Sequence, residues 1–245
     1  MKTSNKILII TLALLIGCLV FYDMGLKAEY EKGDYTNPYS NYEKLGYRNF
    51  DVVELNSSTA INIMLVQGPY KVLASSRVTD YLDIRQEKNR LIIGARFPNQ
   101  YRGEADQYIV YISCPHLSML KADASYMAGD VKVTDTLARD LSWRPTVIDG
   151  FRADSLSIEE DHAGNVLLVN NNIRSLRAVV GLSNRSGSAL TIGENNQFGG
   201  TDIDVLNRSR LWIKGNNITH INYHLADSAS LIVNGAAAKH LLNLK

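Results

Sequence analysis

The residues best suited to acid–base chemistry form the acidic run Glu159-Glu160-Asp161, which His162 follows directly. Further carboxylates stand at Asp130 and at the closely spaced pair Asp202 and Asp204. A glycan-cleaving enzyme needs two carboxylates about 5 to 9.5 Å apart across the bond that it breaks, and no spacing in this chain predicts such a pair. The acidic run is typical of a solvated turn. We therefore predict no catalytic residues and a protein that is not an enzyme.

The remaining histidines show no pattern that would hold a metal ion. They stand at His116, His220, His224 and His240, without the short spacings of a metal site. The sequence contains neither a phosphate-binding P-loop nor a nucleophile elbow. We predict no metal and no cofactor. The sequence does not identify the ligand-binding residues.

Charge and cysteine content narrow the partners and the chemistry further. The chain has 26 Lys+Arg against 25 Asp+Glu, a formal net charge of +1, so it lacks the positive field that would hold a nucleic acid. We predict no nucleic-acid partner. Of the two cysteines, Cys18 lies in an apolar N-terminal run, which leaves Cys114 alone in the remainder and predicts no disulfide there.

An apolar segment at the N-terminus predicts where the protein resides. Lys2 and Lys6 precede an uncharged run over residues 7–22, the pattern of an export signal or a membrane anchor, which we assign to residues 1–26. Leu15-Ile16-Gly17-Cys18 resembles the lipobox of bacterial lipoproteins, so lipidation of Cys18 is an alternative route to the membrane. Both routes, and soluble secretion, place the rest of the chain outside the cytoplasm, in the periplasm or at the cell surface.

Two kinds of sequence follow the apolar segment. Residues 27–49 are polar and rich in tyrosine without a sustained apolar period, which predicts a tether. Residues 50–145 alternate in short β-strands separated by turn signals, a first β block. The predicted strands cover residues 50–55, 61–66, 70–74, 82–86, 91–95 and 108–113.

The second half of the chain repeats. Leu190, Leu211 and Leu231 each begin an apolar triplet and are spaced 21 and 20 residues apart, with Leu167 at 23 residues before the first. A period near 21 residues predicts a solenoid, so we assign repeat coils to residues 146–245. The predicted fold class is all-β, with the solenoid preceded by an N-terminal membrane segment.

Paired asparagines support the same repeat. They fall four to six residues after the leading leucine of each coil, where the chain must bend, and asparagine tolerates the left-handed conformation of a tight corner. Stacked amides can also bond from one coil to the next. The predicted structural turn ladder comprises Asn171, Asn172, Asn195, Asn196, Asn216 and Asn217.

Several segments of the first β block resemble a known family. The runs FDVVEL at residues 50–55, AINIMLVQG at 60–68, LIIG at 91–94 and YISCPHL at 111–117 are similar to the auto-transporter adhesin head GIN domain of Bacteroidota envelope proteins. The likeness extends over roughly residues 50–240. It implies a right-handed β-helix-like domain over residues 50–245 and transfers no catalytic residue.

These observations favour an envelope-anchored module for binding or adhesion. The expected partners are the membrane, through the N-terminal segment, and a glycan or an envelope or host protein. Two alternatives remain open at this point: a polysaccharide-active β-helix enzyme, and a non-adhesive component of cell-envelope assembly or stress response.

Overall fold

A computed structural model describes residues 2–33, 36–98, 108–215, 221–235 and 237–238. The chain divides into two compact units, Met1–Tyr42 and Glu43–Lys245. A mostly β structure with an apolar N-terminal helix confirms the general fold prediction.

The first unit is dominated by one helix, α1, over Thr3–Lys32. None of its side chains is buried, and it is long and apolar enough to cross a membrane. It runs six residues beyond the predicted end of the membrane segment. The ion pair between Lys27 and Glu31, at 3.8 Å, lies in this extension, and Gly33 ends the helix in a left-handed conformation with φ 71°.

The rest of the described chain contains nineteen strands, numbered here in chain order. They are β1 (Tyr42–Leu45), β2 (Val52–Leu55), β3 (Ile63–Gln67), β4 (Lys71–Ser75), β5 (Leu82–Glu87), β6 (Arg90–Phe97), β7 (Val110–Cys114), β8 (Met119–Ala122), β9 (Ser125–Ala128), β10 (Val131–Thr134), β11 (Thr146–Asp149), β12 (Arg152–Glu160), β13 (Asn165–Val169), β14 (Asn172–Val180), β15 (Ala189–Ile192), β16 (Gln197–Val205), β17 (Arg210–Ile213), β18 (Tyr223–Leu225) and β19 (Ser230–Val233). Strands β2 to β7 match the six predicted strands of the first β block, and β8 to β10 were not anticipated from the sequence.

The strands form two mixed sheets, neither of which closes on itself. The first has the order β1-β4-β7-β3-β11-β13-β15-β17-β19, and the second has the order β10-β9-β6-β2-β8-β12-β14-β16-β18, with β5 paired to β6. From β11 onward the chain alternates between the sheets, and each strand pairs in parallel with the strand two places later.

The register agrees with the predicted repeat at three positions and corrects it at a fourth. Leu190 pairs with Leu211, which in turn pairs with Leu231. The predicted place of Leu167 is wrong, because Val166 is the residue that pairs with Leu190. The turn between β14 and β15 spans residues 181–188, whereas the turn between β16 and β17 spans 206–209, and this longer turn shifts the register.

The inward side chains of both sheets make one apolar core. It extends from Phe50 in the first β block to Leu211 and Ile213 in β17, all at most 1% exposed. Cys114 belongs to this core, where burial, with a smaller contribution from nearby Asp51, raises the pKa of its thiol to about 12. The thiolate is therefore scarce at neutral pH, and Cys114 serves as a small apolar side chain.

Candidate functional site

The acidic run does not form an acid–base pair, because successive side chains of a strand point to opposite faces. Glu159 and Glu160 are the last two residues of β12. Glu159 lies 2.7 Å from the Lys121 ammonium, and its side chain is 35% exposed. Glu160 is completely buried, with Ala122 and Val180 as its partners on the two neighbouring strands. The two carboxylates therefore cannot act on one substrate.

The buried Glu160 is held in an apolar setting. Burial raises the pKa of its carboxyl well above the usual value, and the N–H of Val166 opposes this only in part. Within the part of the chain that the structure describes, neither carboxyl oxygen has a partner at normal hydrogen-bond geometry. The protonated form of Glu160 is therefore favoured, which suits a core position rather than contact with solvent.

A polar cluster of four side chains occupies the corner that follows β8, β12 and β14. The His162 Nδ1 lies 2.6 Å from an Asp123 oxygen, and the Asp161 carboxylate accepts hydrogen bonds from the hydroxyl and the N–H of Ser183. Burial by itself would raise the pKa of Asp161, but these bonds lower it overall. Because the Ser183 hydroxyl donates to a carboxylate and not to the imidazole, the cluster stabilises the corner and does not activate a nucleophile.

Asp202 and Asp204 share the outward face of β16, and Asp204 is the partner of His224 on β18. Asp202 stands 4.0 Å from Arg177, and Asp130 lies in the turn between β9 and β10. Across the described ranges, no group of three or more His, Cys, Asp and Glu could hold a metal ion. Two of the histidines considered above lie outside the described residues: His220 and His240.

Asn171 and Asn196 form a buried hydrogen-bond ladder. The Asn171 side chain accepts from the N–H of Phe151 at 2.9 Å and donates to the carbonyl of Ile148 at 2.9 Å. Asn196 repeats this arrangement, accepting from the N–H of Asn171 at 3.0 Å and donating to the carbonyl of Leu168 at 2.8 Å. Ile148 and Leu168 are partners on neighbouring strands, so both amides satisfy equivalent backbone groups.

The asparagines next to this pair in the sequence lie outside the buried ladder. Asn195 donates to the side chain of Asn170 at 3.0 Å, and both residues adopt the left-handed conformation, with φ 57° and 56°. Asn172, predicted in the turn, is instead the exposed first residue of β14. Asn171 rather than Asn172 is the counterpart of Asn196, because Asn171 lies five residues after Val166 whereas Asn196 lies six residues after Leu190. Two further predicted members lie outside the described residues: Asn216 and Asn217.

A cleft of about 490 Å³ opens beside residues 134–144, which connect β10 to β11 and are here called the 134–144 segment. Its lining combines hydroxyl, amide, charged and aromatic side chains. The lining side chains include Ser58, Asp135, Arg139, Asp140, Trp143 and Asn165. A concave surface with a few polar groups around an aromatic side chain has the character of a binding site.

Contacts with later strands hold the first part of the 134–144 segment. Leu137 forms a parallel bridge with Gly187, and the N–H of Ala138 donates to the carbonyl of Gly187 at 3.0 Å. The Arg210 guanidinium donates to the carbonyl of Ala138, and burial lowers the pKa of Arg210. A Cβ at Gly187 would lie 2.5 Å from a terminal methyl group of Leu137 and 3.1 Å from the carbonyl oxygen of Thr136, so the two segments are in close contact here.

Asn165 holds the second part of the segment. This side chain is only 7% exposed, and its amide nitrogen lies 3.2 Å from the carbonyl oxygen of Leu141 and 3.4 Å from that of Trp143. Two buried polar atoms in the cleft lining have no partner among the described residues: Asn165 Oδ1 and Ser58 Oγ.

Trp143 is the most prominent side chain of the cleft. It is 66% exposed, and the Arg144 guanidinium lies 5.2 Å from the centre of its ring. Arg144 adopts the left-handed conformation with φ 47°, which is uncommon for arginine and indicates that the surrounding segment holds it there. An indole exposed to this extent at the rim of a polar cleft is available to a ligand.

A second concave surface of about 370 Å³ shares Arg139 and Asp140 with the cleft. Trp212 of β17 lies in this surface. The Lys214 ammonium stands 3.6 Å from the centre of the Trp212 ring, and the indole N–H donates to Asn234 at 2.9 Å. Sequence reasoning missed both tryptophans, although an isolated tryptophan beside a basic residue in a polar loop, as in Trp143-Arg144, was an available signal.

Comparisons with known proteins give a likeness to several solved bacterial structures. The chain matches no family model and no curated protein. It is similar to a protein from Bacteroides fragilis named "putative adhesin", with 9% identity, coverage of 79% of this chain and 96% of that chain, and a TM-score of 0.37. A protein of the same name from Parabacteroides distasonis has 9% identity to this chain and a TM-score of 0.33. The match covers 79% of this chain and 96% of that chain. A "putative lipid binding protein" from Parabacteroides distasonis has 9% identity and a TM-score of 0.33, with coverage of 79% of this chain and 94% of that chain. Likenesses at this level carry no functional argument.

Proposed function

We propose that this protein is a non-enzymatic binding module of the bacterial cell envelope and that the 134–144 segment binds a sugar chain. The observation that carries this proposal is the exposed indole of Trp143, held at the rim of a polar cleft by the buried amide of Asn165. The apolar face of a pyranose ring packs on an indole, and its hydroxyls require polar partners at the ring edge.

The lining of the cleft favours a sugar over a purely apolar ligand. Thr136, Arg139 and Asp140 are exposed in the cleft lining, so the hydroxyls of a bound sugar can hydrogen-bond to them. An apolar ligand would cover these exposed polar groups without hydrogen-bonding to them. A polysaccharide-active enzyme is less well supported, since the candidate carboxylates of β12 face opposite sides of the strand.

The repeated strands fit the same proposal. We assign residues 146–245 to coils of a right-handed β-solenoid and the domain over residues 50–245 to the head GIN family. The parallel pairing of β11, β13, β15, β17 and β19 in one sheet, and of β12, β14, β16 and β18 in the other, supports the solenoid. Such a scaffold places equivalent side chains about 4.8 Å apart and so holds the 134–144 segment on a rigid surface.

The N-terminal segment supplies the proposed attachment to the membrane. We propose that α1 remains as an uncleaved anchor and that residues 27–49 form the remaining link to the domain. The mass of the mature N-terminus tests this, and retention of Met1 is the expected result. A lipid-modified Cys18 would instead establish a lipoprotein, and a new start near Glu29 would establish secretion. Cys18→Ala should leave membrane attachment unchanged if the helix is the anchor.

Replacing Trp143 with Ala is expected to weaken sugar binding at least tenfold, because the indole is the most exposed large apolar side chain in the cleft lining. The measurement is retention of the full chain, in detergent, on an array of bacterial and host glycans, followed by titration of the best ligand. The matched control is Val131→Ala, which removes an equally exposed apolar side chain, 64% against 66%, outside the cleft.

Four results would contradict this proposal. Equal binding by the Trp143 variant and the wild type would place the sugar elsewhere. Release of reducing ends or unsaturated products from any glycan would support the enzyme. Absence of glycan binding together with capture of a defined envelope or host protein would favour a protein partner, and absence of both would favour the assembly or stress component.

A further inference from the structure

We infer that protonation of Glu160 controls the cleft: the corner at residues 161–165 keeps the form seen in the structure only while the Glu160 carboxyl carries its proton, and loss of that proton opens the corner and loosens the 134–144 segment. This inference gives the regulation of the site in the proposed function and rests on that proposal where it concerns ligand binding. Its structural basis is a buried acid directly before a corner that forms part of the cleft wall.

Glu160 stands in a row of side chains that is otherwise apolar. In register across five strands of the second sheet, the row is Leu55, Ala122, Glu160, Val180 and Val205. None of these side chains is more than 1% exposed. A carboxylate in such a row has neither water nor a counter-ion around it, so ionisation requires the chain to move until water reaches the carboxyl.

The titratable groups near Glu160 are engaged elsewhere. Glu159 lies on the opposite face of β12, where it contacts Lys121 of β8 at 2.7 Å. Asp161 and His162 belong to the polar cluster at the corner. Among the described residues, neither oxygen of Glu160 has a partner at normal hydrogen-bond geometry, so its ionised form has no charged group to hold it in place.

The corner that follows Glu160 connects it to the cleft. The Asn165 amide lies in the cleft wall and contacts two carbonyl oxygens of the 134–144 segment. The residues on both sides of Asn165 pack against Glu160: a Cβ built at Gly164 would lie 3.4 Å from the Glu160 Cβ, and the N–H of Val166 lies beside the carboxyl. Hydration of the carboxylate therefore has to displace the residues that position Asn165.

The direction of the pH dependence follows from the burial of Glu160. Burial raises the pKa of the carboxyl above its ordinary value in the closed corner, whereas an open corner leaves the carboxyl hydrated. Each pH unit between the ordinary and the raised pKa therefore favours the open form about tenfold more. The closed corner is most stable at acidic pH and loses stability as the pH rises.

The test follows the free protein as the pH changes. In a Trp212→Phe background Trp143 is the only tryptophan of the chain, so its fluorescence anisotropy reports how firmly the 134–144 segment is held. Between about pH 5 and about pH 9, the anisotropy of the full chain in detergent is expected to fall. Hydrogen exchange at Gly164 and Val166, corrected for its intrinsic pH dependence, is expected to increase at least tenfold.

Variants assign the effect to one carboxyl group. Glu160→Gln is expected to remove both changes, because an amide stays neutral at every pH. Glu160→Met, which places an unbranched apolar side chain there, gives the same test if the buried amide impairs folding. The matched control is Glu159→Gln, which removes the adjacent carboxylate from the outer face and should leave both changes intact.

Three results would show that Glu160 does not control the corner. They are a wild-type protein whose anisotropy and exchange do not respond to pH, changes that persist in both Glu160 variants, and loss of the changes in a folded His162→Asn variant. The last result would make the imidazole the titrating group. Asparagine suits that position because His162 has a left-handed conformation, with φ 53°.

Ligand binding separates this inference from the proposed function. Cello-, laminari- and malto-hexaose are neutral probes that do not titrate themselves. A probe that binds is expected to bind the wild type about tenfold more weakly at pH 9 than at pH 5, because only the closed form is competent, and to bind Glu160→Gln equally at both. Equal binding by the wild type at both pH values would refute the inference and leave sugar binding intact. Absence of any glycan binding would contradict the proposed function alone, because anisotropy and exchange need no ligand.

Discussion

Replacing Leu211 with Asp is expected to destabilise the folded domain by about 4 kcal/mol or more, because an ionised carboxylate in the core would have no partner. Leu211 is fully buried and pairs with Leu190 on one side and Leu231 on the other. The change therefore affects a stack of three leucines. Urea unfolding followed by circular dichroism gives the measurement, with a lower transition midpoint or an unfolded protein expected.

The matched control is Leu182→Asp, which makes the same chemical change at a leucine that is 50% exposed. Its carboxylate can remain hydrated, so we expect a loss below about 1 kcal/mol. Equal midpoints for wild type and the Leu211 variant would show that this side chain lies outside the core, and the register between β15, β17 and β19 would then be wrong.

Replacing Asn171 with Ala is expected to cost about 2 to 6 kcal/mol of unfolding free energy. The substitution leaves the N–H of Phe151 buried without its acceptor, which costs about 1 to 3 kcal/mol, and removes the bond to the carbonyl of Ile148, which, like each further bond lost, contributes about 0.5 to 1.5 kcal/mol. It also removes the bond of its amide to Asn196 at 3.1 Å. The same urea experiment measures the effect.

The neighbouring substitution Asn172→Ala provides a close control, since both asparagines were predicted in one turn ladder from their sequence positions. Asn172 is exposed at the start of β14, so its loss should change stability by no more than about 0.5 kcal/mol. A larger effect of Asn172→Ala than of Asn171→Ala would overturn the assignment of the ladder.

Local patterns in the sequence were sufficient for several features. The apolar run at the N-terminus predicted α1 because its composition needs no tertiary partner to be recognised. Alternation of apolar residues predicted β2 to β7, since one face of each strand is buried. The spacing of Leu190, Leu211 and Leu231 predicted their pairing because the turns between these coils have similar lengths.

The tertiary structure decided the register between strands and which face of each strand meets the core. The longer turn at 181–188 displaced Leu167 from the series, and a corner one residue shorter after β13 made Asn171, not Asn172, the counterpart of Asn196. The direction of Glu160 depended on which face of β12 meets the core, and alternation alone leaves that choice open. A turn length has no signature in an apolar period, so these shifts could not be predicted from the repeat.

The candidate site was determined almost entirely by long-range contacts. Trp143 is held by Asn165, and the second tryptophan, Trp212, comes from a strand about seventy residues later in the chain. The sequence by itself determined a mostly β protein with an apolar N-terminal segment and a repeating second half. Only the tertiary structure brought the two tryptophans to adjoining surfaces, because parallel pairing of strands joins residues whose separation in the chain depends on every intervening turn.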